Sequence, residues 1–407
     1  MINRTLKKTI EEVSKSFPVL LLTGPRQVGK TTLLEDISDG TRKYVTLDDL
    51  EQRQLAKTDP ALFLQIHQPP LIIDEVQYAP EVFSYIKMYV DKNKTPGLFW
   101  LTGSQKFHLM KNITESLAGR VAILDMLGLS YKEITNKADN TVPFLPITSW
   151  VEDAKQHFDT SPNVNEVYES IYRGSFPKLI SDKNMFRDLF YSSYIQTYIE
   201  RDVKDITKIG SELRFFNFLK TIAARTGQLI NYADIARDAD IDVKTAKIWA
   251  SILETSGIIK FLQPYYNNIT KRIIKTSKIY FLDTGLCSYL TGWDSPKTLE
   301  SGAMSGAIFE TYVFAEILKS YWNNGKNPNI YFYRDKDQRE IDFIFEYNGT
   351  LYPVEVKKTA TPSLSSIKSF SAIESLKKPI GEGAVICLYK ELFPLNKNVN
   401  LIPVNSL

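Results

Sequence analysis

The stretch VLLLTGPRQVGKTTLL, residues 19–34, decides the fold. Val19–Leu22 is a short run of bulky apolar side chains, the pattern of a strand buried on both faces. Gly24 and Gly29 bracket four residues, and Lys30, Thr31 and Thr32 open a segment that continues through Leu33 and Leu34 as a helix. G-x-x-x-x-G-K-[ST] between a strand and a helix is the P-loop in the context that gives the motif meaning. The two glycines let backbone N–H groups wrap a phosphate, and the helix N-terminus adds its dipole. The predicted nucleotide-binding set is therefore Gly24, Pro25, Arg26, Gln27, Val28, Gly29, Lys30, Thr31 and Thr32. Lys30 is expected to reach the β- and γ-phosphates of ATP, and the Thr31 hydroxyl to ligate magnesium.

Outward from this stretch, Tyr44–Leu47, Leu71–Ile73, Leu98–Leu101 and Val121–Leu124 repeat the short apolar pattern, separated by helix-compatible segments. That alternation predicts an α/β domain with a parallel sheet. PPLIIDEVQ, residues 69–77, ends a strand in two acids. Asp74 is expected to hold magnesium through water, and Glu75 to orient and deprotonate the attacking water. In GLFWLTGSQ, residues 97–105, Ser104 and Gln105 read either as sensors of the γ-phosphate or as a strand end where Ser104 caps a helix. In SLAGR, residues 116–120, Arg120 is either a structural surface arginine or a finger that stabilises transition-state charge in a neighbouring subunit.

Beyond Leu129 the texture changes. Pro143, Pro146 and Pro162 mark irregular connections, and Val164–Lys208 turns helical and aromatic. The stretch LINYADIARDADIDVKTAKIWASILETSGII, residues 229–259, reads as a short helix, a turn and a second helix. Ala233, Ile235 and Ala236 face inward from the first helix, and Ala246, Trp249, Ile252 and Leu253 from the second. Asp242, Lys244, Thr245 and Lys247 lie near the exposed start of the second helix. Lys271, Arg272, Lys275 and Lys278 decorate a following hairpin, the wing. A basic helix start with a basic wing suits phosphate contacts on DNA, although the same unit also serves protein packing, and nearby acids dilute the charge.

The chain then reads as strands Ile330–Tyr333, Glu340–Tyr347 and Thr350–Lys358, with Asn348-Gly349 as a two-residue hairpin turn. Period-two alternation puts Glu355 and Lys357 on one face, and the turn brings Asp342 beside them. Two carboxylates and an ammonium form the minimal set for metal-assisted phosphodiester cleavage, and Glu310 on the helix Ser305–Ser320 would complete the shell around a second Mg2+ or Mn2+. The alternative is a charged strand face that is merely solvated.

The chain has 407 residues, enough for roughly two to four domains. Lys plus Arg number 50 against 47 for Asp plus Glu, so total charge does not argue for nucleic acid. Two cysteines in different segments exclude a disulfide framework, and with three histidines and no CxxC pair they argue against a Cys/His zinc site. The first residues lack the apolar core of a signal peptide, and no apolar run approaches the ~20 residues that span a bilayer. These features predict a cytoplasmic protein without a membrane partner.

GPRQVGKTT, the LDD of Leu47–Asp49, Asp59-Pro60, LIIDEVQ, LTGSQ, SLAGR, LGLSYKEI, YIQTYIERDV and IDFIFEYNGTLYPVEVKK occur in this order from Phe17 to Lys358. In identity and order they resemble the bacterial and archaeal AAA-type ATPases that carry a C-terminal winged helix and a PD-(D/E)XK restriction-endonuclease-like domain. The resemblance implies an AAA-like P-loop ATPase core over 1–130, a helical linker or lid over 131–208, a winged helix over 209–298 and an α/β nuclease-like domain over 299–407. It implies that Ser104 or Gln105 holds the sensor position and that Arg120 is a finger acting in a homo-oligomer. The function expected is Mg-dependent ATP hydrolysis coupled to DNA binding or processing. The alternative is a regulatory ATPase whose C-terminal modules bind DNA or protein without cleavage.

Overall fold

The five apolar runs of the first third pair side by side in the computed structural model, which describes residues 2–104, 113, 116–158, 162–198, 212–268, 272 and 275–407. They are β1 (Val19–Thr23), β2 (Lys43–Thr46), β3 (Leu71–Asp74), β4 (Phe99–Gly103) and β5 (Val121–Asp125). All pairings are parallel, in the order β2-β3-β4-β1-β5. Helices α1 (Leu6–Ser14), α2 (Lys30–Ser38), α3 (Leu50–Thr58), α4 (Pro60–Ile66) and α5 (Val82–Asn93) alternate with the strands. β1, β3 and β4 are buried along their whole length, which is why they are apolar without alternation. Val19, Leu21, Ile73, Phe83, Phe99 and Leu101 share one core, each worth about 1.5–3 kcal/mol of burial. This rigid sheet aligns the C-terminal ends of β1, β3 and β4, where ligands of open parallel sheets bind.

Several of the recurring motifs turn out to be helix starts. Asp49 Oδ1 accepts from Glu51 N at 2.8 Å and Gln52 N at 3.1 Å to cap α3. Asp59 Oδ1 accepts from Leu62 N at 2.9 Å, and Pro60 opens α4. Ser130 and Glu133 form a capping box in LGLSYKEI.

The chain divides into two compact units. The first comprises Met1–Leu129, Thr255–Gly257 and Trp322–Gly325; the second comprises Ser130–Glu254, Ile258–Tyr321 and Lys326–Leu407. In the second unit, the helix Glu212–Ala223, β6 (Gln228–Leu229), the helices Tyr232–Asp238 and Val243–Thr255, β7 (Ile259–Leu262) and β8 (Lys278–Phe281) follow in order. Their sheet is antiparallel, β6-β8-β7. Ile235, Ala236, Ala246, Trp249, Ile252 and Leu253 are buried as the spacing predicts, with Trp249 edge-on to Phe215 and Phe218. Ala233 is exposed instead, because in this two-turn helix only Ile235, Ala236 and the following Ala239 face the interior.

The second unit also holds a six-stranded mixed sheet, in the order β13-β14-β12-β11-β10-β9. Its strands are β9 (Ile330–Arg334), β10 (Glu340–Tyr347), β11 (Thr350–Lys357), β12 (Gly383–Cys387), β13 (Phe393–Asn396) and β14 (Val399–Pro403). Asn348 at φ 48° and Gly349 at φ 75° make the predicted hairpin between β10 and β11. Register shifts between Ile341 and Ile344 on β10, a bulge that spans Asp342. The helical reading over Val164–Lys208 holds as far as Tyr198; residues 199–211, with the end of YIQTYIERDV, lie outside the described residues. No helix among the described residues is long and apolar enough to cross a membrane.

Candidate functional site

The P-loop joins β1 to α2 through three left-handed positions, Gly24 at φ 138°, Gln27 at φ 61° and Gly29 at φ 92°. A Cβ on Gly24 would lie 2.0 Å from the Met126 carbonyl oxygen, so only glycine fits there. Lys30 opens α2 and is buried, its Nζ donating to the Gly24 carbonyl at 3.0 Å and the Pro25 carbonyl at 2.8 Å. Arg4 supports the loop from α1's leading edge, donating to the Leu127 carbonyl at 2.7 Å and the Val28 carbonyl at 3.4 Å.

Asp74 ends β3 and is buried. Its Oδ1 accepts from Thr31 Oγ1 at 2.8 Å and from the Thr102 hydroxyl, and its Oδ2 accepts from Tyr44 OH at 3.0 Å. Three hydroxyls therefore aim one carboxylate at the start of α2. Burial, followed by the Asp74 charge, pushes the Tyr44 phenol well above its ordinary range, so it stays a donor. Glu75 is left-handed at φ 53°, and its N–H donates to Thr102 Oγ1 at 3.3 Å. Its carboxylate accepts from Gln77 Nε2 and lies 3.5 Å from Ser104 Oγ. Ser104 is thus placed against Glu75; Gln105 lies outside the described residues.

Thr31 meets Asp74 and Ser104 meets Glu75, with Lys30 next to Thr31 at the start of α2. Thr102, Tyr44, Gln77 and Arg4 were not singled out, although the T of LTGSQ and the Q of DEVQ sit inside motifs that were. Arg120 stands elsewhere, its guanidinium donating to both oxygens of Asp91 on α5, with Nη2 at 3.0 Å, and to the Ala118 carbonyl at 3.1 Å. The glycine cradle, the buried ammonium and the hydroxyl–carboxylate pair of Thr31 and Asp74 fit a nucleotide triphosphate with magnesium.

The second unit assembles Glu310, Asp342, Glu355 and Lys357. Asp342 Oδ2 accepts from Val356 N on β11 at 2.8 Å, across the pair that begins at Phe343 opposite Val354. Lys357 Nζ donates to Glu355 Oε1 at 2.6 Å, and Ser369 Oγ to Glu355 Oε2 at 3.3 Å. Burial, then the neighbouring Asp342, pushes Glu310 up to about 7 and Glu355 up to about 8. Asp342 is raised by burial in turn. Near Asp335, the loop from β9 to β10 is a turn: Asp335 accepts from the Asp337 and Arg339 N–H groups.

Two basic residues assigned to the wing are not on its surface. Lys278 is 3% exposed and its Nζ lies 2.6 Å from Glu340 Oε1 and 3.1 Å from Glu310 Oε1. Arg272 is 9% exposed, packs over the Tyr265 and Tyr331 rings and pairs with Glu346 at 3.0 Å. β8 is buried along its whole length, so its charged residue must end on a carboxylate rather than in water. Lys275 is exposed as expected, and Lys271 lies outside the described residues. Asp242 is the cap of the helix Val243–Thr255, accepting from Thr245 N at 2.9 Å, while Lys244 and Lys247 are exposed.

The carboxylate cluster does not fit a second metal ion. Glu310 already takes Lys278 and Tyr280 as donors on one oxygen. No group of three His, Cys, Asp or Glu side chains among the described residues is arranged to hold a metal.

Residues 16–135 match the AAA domain family; residues 164–297 and 305–407 match two domains of unknown function, DUF8612 and DUF4143. An uncharacterized protein of Mycobacterium tuberculosis is 28% identical over 392 residues, covering 96% of this chain and 81% of the relative. One from Methanocaldococcus jannaschii is 24% identical over 385 residues, covering 88% and 79%. Among solved structures, a Walker-type ATPase of Pyrococcus abyssi is 15% identical with a TM-score of 0.43, covering 71% of this chain and 96% of that one. The Holliday junction branch migration motor of Thermotoga maritima is 18% identical with a TM-score of 0.30, covering 63% and 88%. The domain match and the parallel sheet agree on an AAA-type P-loop ATPase fold in the first unit.

Proposed function

We propose that this chain binds ATP with magnesium at Gly24–Thr32 and hydrolyses it, coupling nucleotide state to DNA binding or processing through its second unit. The observation that carries the ATPase reading is the Thr31–Asp74 contact at 2.8 Å beside the buried Lys30 ammonium. The loop N–H groups bind the phosphates, and Lys30 turns from the Gly24 and Pro25 carbonyls to the β- and γ-phosphates. Thr31 would hold magnesium directly and Asp74 through water. The chemistry such an ion supplies is neutralisation of the phosphate oxygens as charge moves to the leaving group. Glu75, oriented by Gln77 and by Thr102 beneath its backbone, takes the proton of the attacking water. Ser104 shares that end of the site as sensor. Arg120 serves as a finger toward a neighbouring copy only if it leaves Asp91.

Glu75→Gln should retain ATP and stop turnover, whereas Lys30→Ala should lose binding and turnover together. Equilibrium binding of a fluorescent ATP analogue and phosphate release separate the two. Normal turnover in either variant refutes the assignment of that residue.

The element order from Glu212 to Phe281, with its three-stranded sheet, supports a winged helix, and exposed Lys244, Lys247 and Lys275 suit DNA phosphates. For the last module, Glu310, Asp342, Glu355 and Lys357 keep the residue types of a nuclease-like set, and processing there would need the metal that this cluster does not fit. The alternative, binding of DNA or protein without cleavage, is favoured by one observation: Lys278 sits on Glu310.

A further inference from the structure

We infer that Lys278 is a tethered cation standing in for a divalent metal in the cluster of Glu310, Asp342 and Glu355, closing this site to metal-dependent cleavage. The inference rests on reading that cluster as nuclease-like.

The pattern Asp342…Glu355-x-Lys357 contains one ammonium, from β11. The structure adds a second from a different sheet. Lys278 leads β8, where it is opposite Leu229 of β6 and Leu262 of β7. Pairing on both sides holds its backbone, and burial with two carboxylate partners holds its ammonium. From there Nζ reaches Glu310 at 3.1 Å and Glu340 at 2.6 Å. Tyr280, two residues on and on the same face of β8, donates to the same Glu310 oxygen.

Each carboxylate that would ligate a metal has a protein donor instead. Glu310 has Lys278 and Tyr280, Asp342 has Val356 N, and Glu355 has Lys357 and Ser369. Buried carboxylates brought together repel one another and need a cation or protons. A nuclease meets that need with a metal drawn from solution. Here the chain supplies the charge itself. A metal entering the cluster would meet an ammonium that is 3% exposed. Two positive charges would then compete for Glu310 in one buried site, with Lys278 left on Glu340 alone.

The test is Mn2+ binding to the nucleotide-free, full-length protein, followed by calorimetry and by the Mn2+ electron paramagnetic resonance signal. Asp342→Asn identifies which binding belongs to the cluster. Wild type should show no Asp342-dependent Mn2+ binding up to millimolar metal. Lys278→Met should gain one equivalent, at least about tenfold tighter than any wild-type site there, and lose it when combined with Asp342→Asn. Lys278→Met combined with Glu340→Gln removes the orphaned carboxylate with the ammonium, and is read the same way should the single variant fold poorly; retained ATP-analogue binding reports an intact first unit. Asp342-dependent Mn2+ binding in wild type as tight as in Lys278→Met overturns the inference, and this arm needs no folded Lys278 variant. Lys278→Met that gains no Mn2+ site overturns it as well. Nicking of supercoiled DNA by the same variant separates the two readings: Mn2+ gained without nicking keeps Lys278 as the plug and removes the nuclease.

Discussion

Thr102→Val replaces one buried hydroxyl by a methyl of nearly the same size. Thr102 is 1% exposed; its Oγ1 donates to Asp74 and accepts from Glu75 N at 3.3 Å. The bond to a charged acceptor is worth about 1.5–3 kcal/mol, and leaving the Glu75 N–H without an acceptor costs about 1–3 kcal/mol. Asp74 keeps Thr31 and Tyr44 as donors, and 3.3 Å is a long bond, so the low ends apply. The sum is about 2.5 kcal/mol, to be read from urea denaturation of the full chain by a probe in the first unit. Thr102 touches neither phosphate nor the attacking water, so it is a positioning residue. Its loss should lower kcat about 10–100-fold, as for other residues that orient a metal-holding carboxylate. KM for ATP should move much less, because the loop and Lys30 are untouched. Thr102→Ser should restore both stability and kcat. Wild-type stability and turnover in Thr102→Val would refute the idea that one hydroxyl couples Asp74 to Glu75.

Arg120→Ala should cost under about 1 kcal/mol of stability, because its pair with Asp91 is half-exposed. If Arg120 is a finger, turnover falls at least ~100-fold and mixing with Lys30→Ala restores part of it; unchanged turnover removes that role. The stability of the second unit should fall as pH rises from about 4.5 to about 8. Glu310 and Glu355 are held at about 7 and about 8 in the folded chain, above the 4.5 of an unperturbed glutamate. The unfolded chain releases those protons first, so folding loses ~1.4 kcal/mol per pH unit for each group within its window. Lys278 and Lys357 are raised as well, so what they contribute persists across this range and is lost only at higher pH. Glu355→Gln should flatten the upper part of the curve in pH-dependent urea denaturation, and a wild-type profile flat from pH ~5 to ~8 would contradict the buried-carboxylate account.

The residues that were legible in advance are those whose signal is local. The central strands β1, β3 and β4 read as apolar runs because parallel strands covered on both faces tolerate little else. Gly24, Gly29 and Asn348-Gly349 announce backbone conformations that other residues adopt at a cost. Asp74, Glu75 and Lys30 were assigned because strand ends and helix starts place side chains by short-range geometry. Glu355 and Lys357 share a face by the same argument, through the two-residue period of a strand.

What stayed hidden is the partner at the far end of a polar side chain. Thr102 and Asp74 are 28 residues apart, Arg4 and Leu127 are 123 apart, and Lys278 reaches Glu310 across 32. A lysine in a basic hairpin looks the same in sequence whether its stem ends in water or on a carboxylate. Lys278 and Arg272 were assigned to a DNA-facing surface for that reason. Packing on both faces of β8 gave Lys278 no exit to solvent, so burial required an anion within reach. The sequence by itself therefore determined the phosphate loop, its strand-borne acids and the hairpin of the second site. Only the tertiary structure decided which charges meet across the fold, because that depends on sheets and helices from distant segments closing over one another.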